Sequence, residues 1–215
     1  GARALGADYK DTKVGKKGLM NVFSFHTQKN MTTLGEGGAI TTDDEEMYQH
    51  LRGLRQFGNE TSGWGTNYKM TRVQAAVGMV QLGRLDELIS SRRRIAYARN
   101  EMLEGIPHLL LPYEPEDVEH SYYMYTLLVE KDWAGDKRDR LLALLKEEYG
   151  VSTVVGNPPV SWIPGLLTEA TRGQQVPVSD ELGARLFCVT IHPRMSDQDN
   201  EYICAALWDA VEKIK

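Results

Sequence analysis

Short apolar runs and helical periodicities alternate along the chain. Residues 21–25 are an apolar, β-prone run, and 39–42 are another. The stretch between them ends in Gly35-Glu36-Gly37-Gly38, where three glycines in four positions mark a tight backbone or positive φ. Thr42-Asp43-Asp44-Glu45 fits a capping box with acids in the first turn, which predicts a helix to about Phe57, stopped by Gly58. A polar, glycine-rich loop follows. Thr71-Arg72-Val73-Gln74 is a second capping box, and Val73, Val77, Val80, Leu85, Leu88 and Ile89 follow roughly helical spacing. That helix is expected to run, with a bend near Gly83, to Leu103, ahead of Gly105 and Pro107.

Beyond a Pro/Glu loop at 112–118, residues 121–130 read as a strand rich in Tyr, Leu and Val. Tyr122 and Tyr123 would then be one core and one surface residue, since neighbours on a strand face opposite ways. Residues 137–149 form an amphipathic helix with Leu141, Leu142, Leu144 and Leu145 inward, and 151–155 a β-branched strand. Three prolines and a tryptophan make 157–168 an ordered loop. A helix at 179–186, a buried strand at 187–191 and a closing helix at 197–214 behind Ser196 complete the chain. Alternating strands and helices predict α/β architecture in two lobes, with the break inside the helical stretch 72–103 and a βαβ-like module after it.

Composition removes several classes. The 215 residues are 41% hydrophobic and 26% charged, with 25 basic against 30 acidic side chains, which excludes a disordered or collagen-like chain. The net charge of −5 argues against a nucleic-acid groove. The densest basic run, Arg92-Arg93-Arg94, reads as a solvated helix face. No stretch approaches the ~20 apolar residues of a membrane span. Cys188 and Cys204 lie far apart without a CxxC, which argues against a disulfide scaffold or thiolate zinc site and suits a reducing cytoplasm. The histidines show no HxH or HExxH spacing, so no metal site is expected. The first seven residues lack the build of a signal peptide and read as the interior of a longer chain.

The candidate chemistry lies at 24–38. Lys29 follows an apolar strand and precedes the glycine turn. A lysine in such a place can be partly desolvated, which frees an amine to form a Schiff base. Ser24, at the strand end, could donate its hydroxyl to a phosphate. Alone, a lysine beside a glycine turn is ordinary, because surface lysine is the default.

The full string is more specific. Phe23-Ser24-Phe25-His26 with Lys29-Asn30 is followed by Gly35-Glu36-Gly37-Gly38-Ala39-Ile40-Thr41-Thr42-Asp43, then Leu51-Arg52-Gly53-Leu54-Arg55, then Asn67-Tyr68-Lys69-Met70-Thr71 and Gln74-Ala75-Ala76. With Ala4-Leu5-Gly6-Ala7 and Val14-Gly15-Lys16-Lys17-Gly18 ahead of it, the chain resembles the DegT–DnrJ–StrS family of sugar aminotransferases dependent on pyridoxal 5'-phosphate (PLP). The likeness runs in register to about residue 110 and more loosely beyond. It implies PLP-dependent transferase fold type I, with 1–95 the end of the large PLP-binding domain and 96–215 the small C-terminal α/β domain. The family's N-terminal half, with the aspartate that pairs with the pyridinium nitrogen, would precede Gly1.

The resemblance further implies that Lys29 carries the Schiff base, that Ser24 binds the cofactor phosphate, and that Asn67 reaches the cofactor of a neighbouring subunit in a homodimer. The implied reaction moves an amino group from glutamate or glutamine to a keto-sugar, nucleotide-linked or phosphorylated, or to a related cyclitol. Two departures stand out. Arg3 occupies a position near the cofactor ring where relatives carry Gln or His. Gly156-Asn157-Pro158-Pro159-Val160-Ser161-Trp162 replaces a His-Tyr-x-Pro-x-His string, so that Asn157, Ser161 and Trp162 become the candidate sugar contacts. Lys29 stands where the family's sugar dehydratases carry histidine, which disfavours that branch, and its presence speaks against a non-catalytic sensor or assembly protein on the same scaffold.

Overall fold

The computed structural model describes residues 1–59, 63–156, 158–163, 169–170 and 174–214. In chain order the first elements are β1 (Asp8–Tyr9), β2 (Thr12–Lys13), β3 (Asn21–Ser24), β4 (Gly38–Thr41), α1 (Glu45–Arg55), α2 (Arg72–Gly83) and α3 (Leu85–Met102). There follow β5 (Leu109–Leu110), β6 (Val118–Glu119), β7 (Tyr125–Val129), α4 (Asp136–Glu147), β8 (Thr153–Val154), α5 (Pro177–Arg185), β9 (Leu186–Val189) and α6 (Asp197–Ile214). The chain divides into two compact units, Gly1–Ser91 with Glu114–Tyr123, and Arg92–Tyr113 with Met124–Lys215. The segment 114–123 therefore belongs with residues far upstream of it.

In the first unit β3 and β4 pair antiparallel, Phe23 against Ala39 and Ser24 against Gly38. Phe23 turns inward and is buried, whereas Val22 and Ile40 face out. Gly38 lets the strands close: a Cβ there would lie 2.6 Å from the Phe23 carbonyl oxygen. Gly35, at φ 126°, turns the chain where side chains are disfavoured. A second sheet runs β2-β1-β6, both pairs antiparallel, so the returning segment is stitched to the start of the chain.

The cap of α1 is Asp44, two residues later than the expected Thr42: its carboxylate accepts the Met47 N–H at 2.8 Å, while the Thr42 hydroxyl accepts from the Asp44 N–H. The helix stops at Arg55 because Phe57 and Gly58 both take positive φ. The capping box at Thr71 and Gln74 forms reciprocally, as its spacing requires. The bend near Gly83 is a break, with Arg84 capping α2 before α3 begins.

In the second unit a four-stranded sheet runs β5-β7-β9-β8. Every pair is antiparallel, which corrects the βαβ-like expectation. Tyr125, Leu127 and Val129 on β7 are fully buried, with Phe187 on the neighbouring β9. Leu141 and Leu145 of α4 are buried as expected, but Leu142 and Leu144 are only half-buried. The strand expected over 121–130 starts only at Tyr125, because Tyr122 has φ 43°.

The basic run is also corrected. Arg92 is buried and donates to the Ile191 carbonyl at 3.1 Å, Arg93 is half-buried, and only Arg94 of the three is exposed. A second guanidinium, Arg99, is fully buried: Nε donates to Asn200 Oδ1 at 2.8 Å and Nη2 to the Thr190 carbonyl at 3.0 Å. Asn200 in turn donates to the Ile95 carbonyl at 3.0 Å, and the guanidinium lies 4.7 Å from the Tyr125 ring centre. Burial lowers the Arg99 pKa from its ordinary value and pushes the adjacent Cys204 thiol up to about 11. No helix of the described residues is long and apolar enough to cross a membrane.

Candidate active site around Lys29

The loop from β3 to β4 is wound by its own backbone. Phe25 N–H donates to the Gly37 carbonyl at 2.7 Å, Thr27 N–H to Gly35 at 2.9 Å, and Thr33 N–H to Phe25 at 3.1 Å. Lys29 sits on the inner turn, its N–H bound to the His26 carbonyl at 2.9 Å. Asn30 behind it is buried, and its side-chain amide donates to the Leu5 carbonyl at 3.0 Å, which ties the lysine turn to the first residues of the chain. Ser24 ends β3, where its hydroxyl accepts the His26 N–H at 3.4 Å.

The Lys29 side chain is half-buried. Its ammonium lies 4.5 Å from the centre of the Tyr123 ring and 3.5 Å from the Tyr123 hydroxyl. The Arg3 guanidinium lies 5.7 Å from the same ring centre. The structure thus brings two of the expected residues, Lys29 and Arg3, onto one aromatic side chain, attractive to cations through its quadrupole. Two buried oxygens near by in sequence, Asn30 Oδ1 and Thr32 Oγ1, have no hydrogen-bond partner among the described residues.

Asn67 stands apart on the loop after α1. It is exposed, its backbone forms an isolated bridge with Gln56, and its side chain makes no hydrogen bond among the described residues. Asn157 lies outside the described residues. Ser161 and Trp162 fall in a short 3-10 turn, Val160–Trp162. The Ser161 hydroxyl donates to Asp180 at 3.3 Å on α5 of its own unit. Trp162 is 46% exposed, so it does not serve to fill the core. Its ring edge instead lies over Gly183, where a Cβ would come within 3.2 Å of it.

Tyr123 is the residue that reasoning from sequence missed. On a strand it would alternate with Tyr122 between core and surface. Tyr122 is indeed buried, but neither lies on a strand, and Tyr123 contacts a lysine 94 positions away. No local pattern in His120-Ser121-Tyr122-Tyr123 signals such a contact. A cavity of about 740 Å³ on the same unit lies on the outward face of β3 and β4, lined by Val22, Ile40, Tyr48, Leu54, Trp64 and Tyr68 among others. It is apolar and does not include Lys29.

The model of the DegT/DnrJ/EryC1/StrS aminotransferase family matches residues 1–208. The spore coat polysaccharide biosynthesis protein SpsC of Bacillus subtilis is 32% identical over 98% of this chain and 58% of its own length. GDP-perosamine synthase of Escherichia coli O157:H7 is 30% identical over 96% of this chain and 56% of its own. Among solved structures, the PLP-form of Spr1654 from Streptococcus pneumoniae superposes with a TM-score of 0.90 at 26% identity, covering 100% of this chain and 57% of that one. The chain thus spans little more than half the length of the relatives it matches. With the lysine turn, the glycine-closed hairpin and a family match over nearly every residue, the chain belongs to the DegT/DnrJ/EryC1/StrS aminotransferase family.

Proposed function

We propose that the protein containing this chain transfers an amino group from glutamate or glutamine to a keto-sugar, nucleotide-linked or phosphorylated, or to a related cyclitol, with PLP as cofactor. The carrying observation is Lys29: a half-buried amine on a backbone-locked turn, held against an aromatic ring, in a chain of an aminotransferase family. The surroundings fit a flat, phosphorylated aldehyde. An aromatic ring stands beside the amine with a guanidinium near the same ring, and a hydroxyl ends the preceding strand; Asn30 Oδ1 can accept and the Thr32 hydroxyl can accept or donate, neither having a partner among the described residues. The GDP-perosamine synthase and the PLP-form structure among its relatives support the same chemistry.

In this reading Lys29 holds the cofactor and Ser24 binds its phosphate, with Arg3 beside the ring. Bound there, PLP supplies an electrophilic carbon for the amino group and a ring that takes up electrons. Lys29 Nζ then moves the proton from the donor's Cα, which requires it to act as a neutral amine held in one place. Asn67, exposed on its loop, reaches the site of the partner subunit in a homodimer working in the cytoplasm. Residues 1–95, joined by the returning segment 114–123, close the large cofactor-binding domain, and the rest of 96–215 forms the small domain. Asn157, Ser161 and Trp162 contact the acceptor sugar.

Borohydride added to the PLP-loaded full-length protein should fix the cofactor on the peptide containing Lys29, and the protein's colour should fade on adding glutamate. Trapping at another lysine refutes the assignment. For the acceptor, Trp162→Ala should lower kcat/KM for the keto-sugar about tenfold, the scale of one lost stacking contact, and leave the glutamate half-reaction unchanged. Equal loss in both half-reactions would assign Trp162 to the scaffold.

A further inference from the structure

We propose that Tyr123 is the positioning residue for Lys29, and that the segment Glu114–Tyr123 is built to deliver it. The inference rests on the reading of Lys29 given above and adds a residue to it. The chain leaves the first unit at Ser91 and returns for this one segment. The return is anchored at each step. β6 pairs with β1, Asp8 against Glu119 and Tyr9 against Val118. Lys10 N–H donates to the Asp117 carbonyl at 2.8 Å, and the Ser121 hydroxyl to the Arg3 carbonyl at 3.5 Å.

The last step is strained. Tyr122 takes φ 43°, a left-handed conformation that a bulky side chain rarely adopts. Three contacts hold it there. Its hydroxyl donates to Glu114 Oε2 at 2.8 Å, its N–H to His120 Nδ1 at 3.0 Å, and its ring meets the His120 ring edge-on at 4.6 Å between centres. Strain that its surroundings over-determine is a pointer to function, because nothing else retains it. What this kink achieves is the break in strand alternation that places Tyr123 over Lys29. The ammonium lies closer to the hydroxyl than to the ring centre, so both the π face and the oxygen restrict where the amine can point. A lysine has four rotatable stem bonds, and holding its tip in one place is what a reaction at that amine requires.

The test compares Tyr123→Leu with Tyr123→Phe in the full-length protein and uses two readouts apart from turnover. The first is reductive methylation of Lys29 without cofactor, measured by peptide mass spectrometry and normalised to the exposed Lys16. The second is the rate at which added PLP is fixed on Lys29 by borohydride. Tyr123→Leu should raise methylation about fivefold, the scale of one lost cation–π contact, and lower PLP capture by a similar factor. A general loosening of the fold would also raise methylation at the half-buried Lys137, which lies over the Trp133 ring, and that result overturns the proposal. Tyr123→Phe, which keeps the ring, should recover at least half of the PLP capture. Unchanged values in both variants overturn the role of Tyr123 while leaving Lys29 in place. Absence of PLP capture at Lys29 in the unaltered protein overturns the parent reading instead.

Discussion

Lys29→Ala should leave the full-length protein without measurable turnover, a fall of at least about 10³-fold, in the range set by loss of a positioned proton carrier. The effect should be chemical and not structural. Lys29 is half-buried, and among the described residues its side chain meets one ring and that ring's hydroxyl, so the melting temperature should move by no more than a few degrees. Lys29→Arg separates charge from amine: it restores a cation over Tyr123 but supplies no nucleophilic nitrogen, because guanidinium does not deprotonate in proteins. Both variants should therefore be equally inactive in steady-state assays. Activity above a tenth of the unaltered level in either one removes Lys29 from the mechanism.

Asn200→Ala should be the most damaging single truncation of a polar side chain in the second unit, at about 3 kcal/mol. It removes the Nε partner of a buried guanidinium whose Nη1 has none among the described residues, and it also removes the side-chain donor to the Ile95 carbonyl. Leaving a buried charge with fewer hydrogen bonds costs more than deleting the charge and its partner together. Arg99→Met/Asn200→Leu should accordingly be less destabilised than Asn200→Ala, by urea melts on the same protein. If the double variant is the less stable of the two, the network stabilises the fold outright, and the cost assigned to the unpaired charge is wrong.

What could be read from the sequence was what is decided within a few residues. The Thr71–Gln74 box formed because both partners lie one helical turn apart, and α6 runs over 197–214 as its period requires. Ser24, Lys29 and the glycine turn were legible for the same reason, as a compact string. The failures involve distant partners. Arg92 is buried because the Ile191 carbonyl, 99 positions away, accepts from it. Tyr122 leaves the strand conformation because Glu114 and His120 hold it, and nothing in the alternation of apolar residues at 121–130 records those contacts. Tyr123 was invisible on both counts.

The returning segment also sets an order of events during synthesis. A ribosome emits this chain from its N-terminus, and domains generally fold as units in that direction. The first unit cannot close when Ser91 emerges, because one of its strands and the partner of Lys29 are still unmade. The lysine and its tyrosine are separated by 94 positions, and contacts of such separation form slowly because a long loop must close first. For that interval β1 keeps one edge unpaired, and Lys29 is a solvated lysine like any other. The amine is thus put in place by one of the last events in the folding of its unit, after the helix that carries the chain away has already been made.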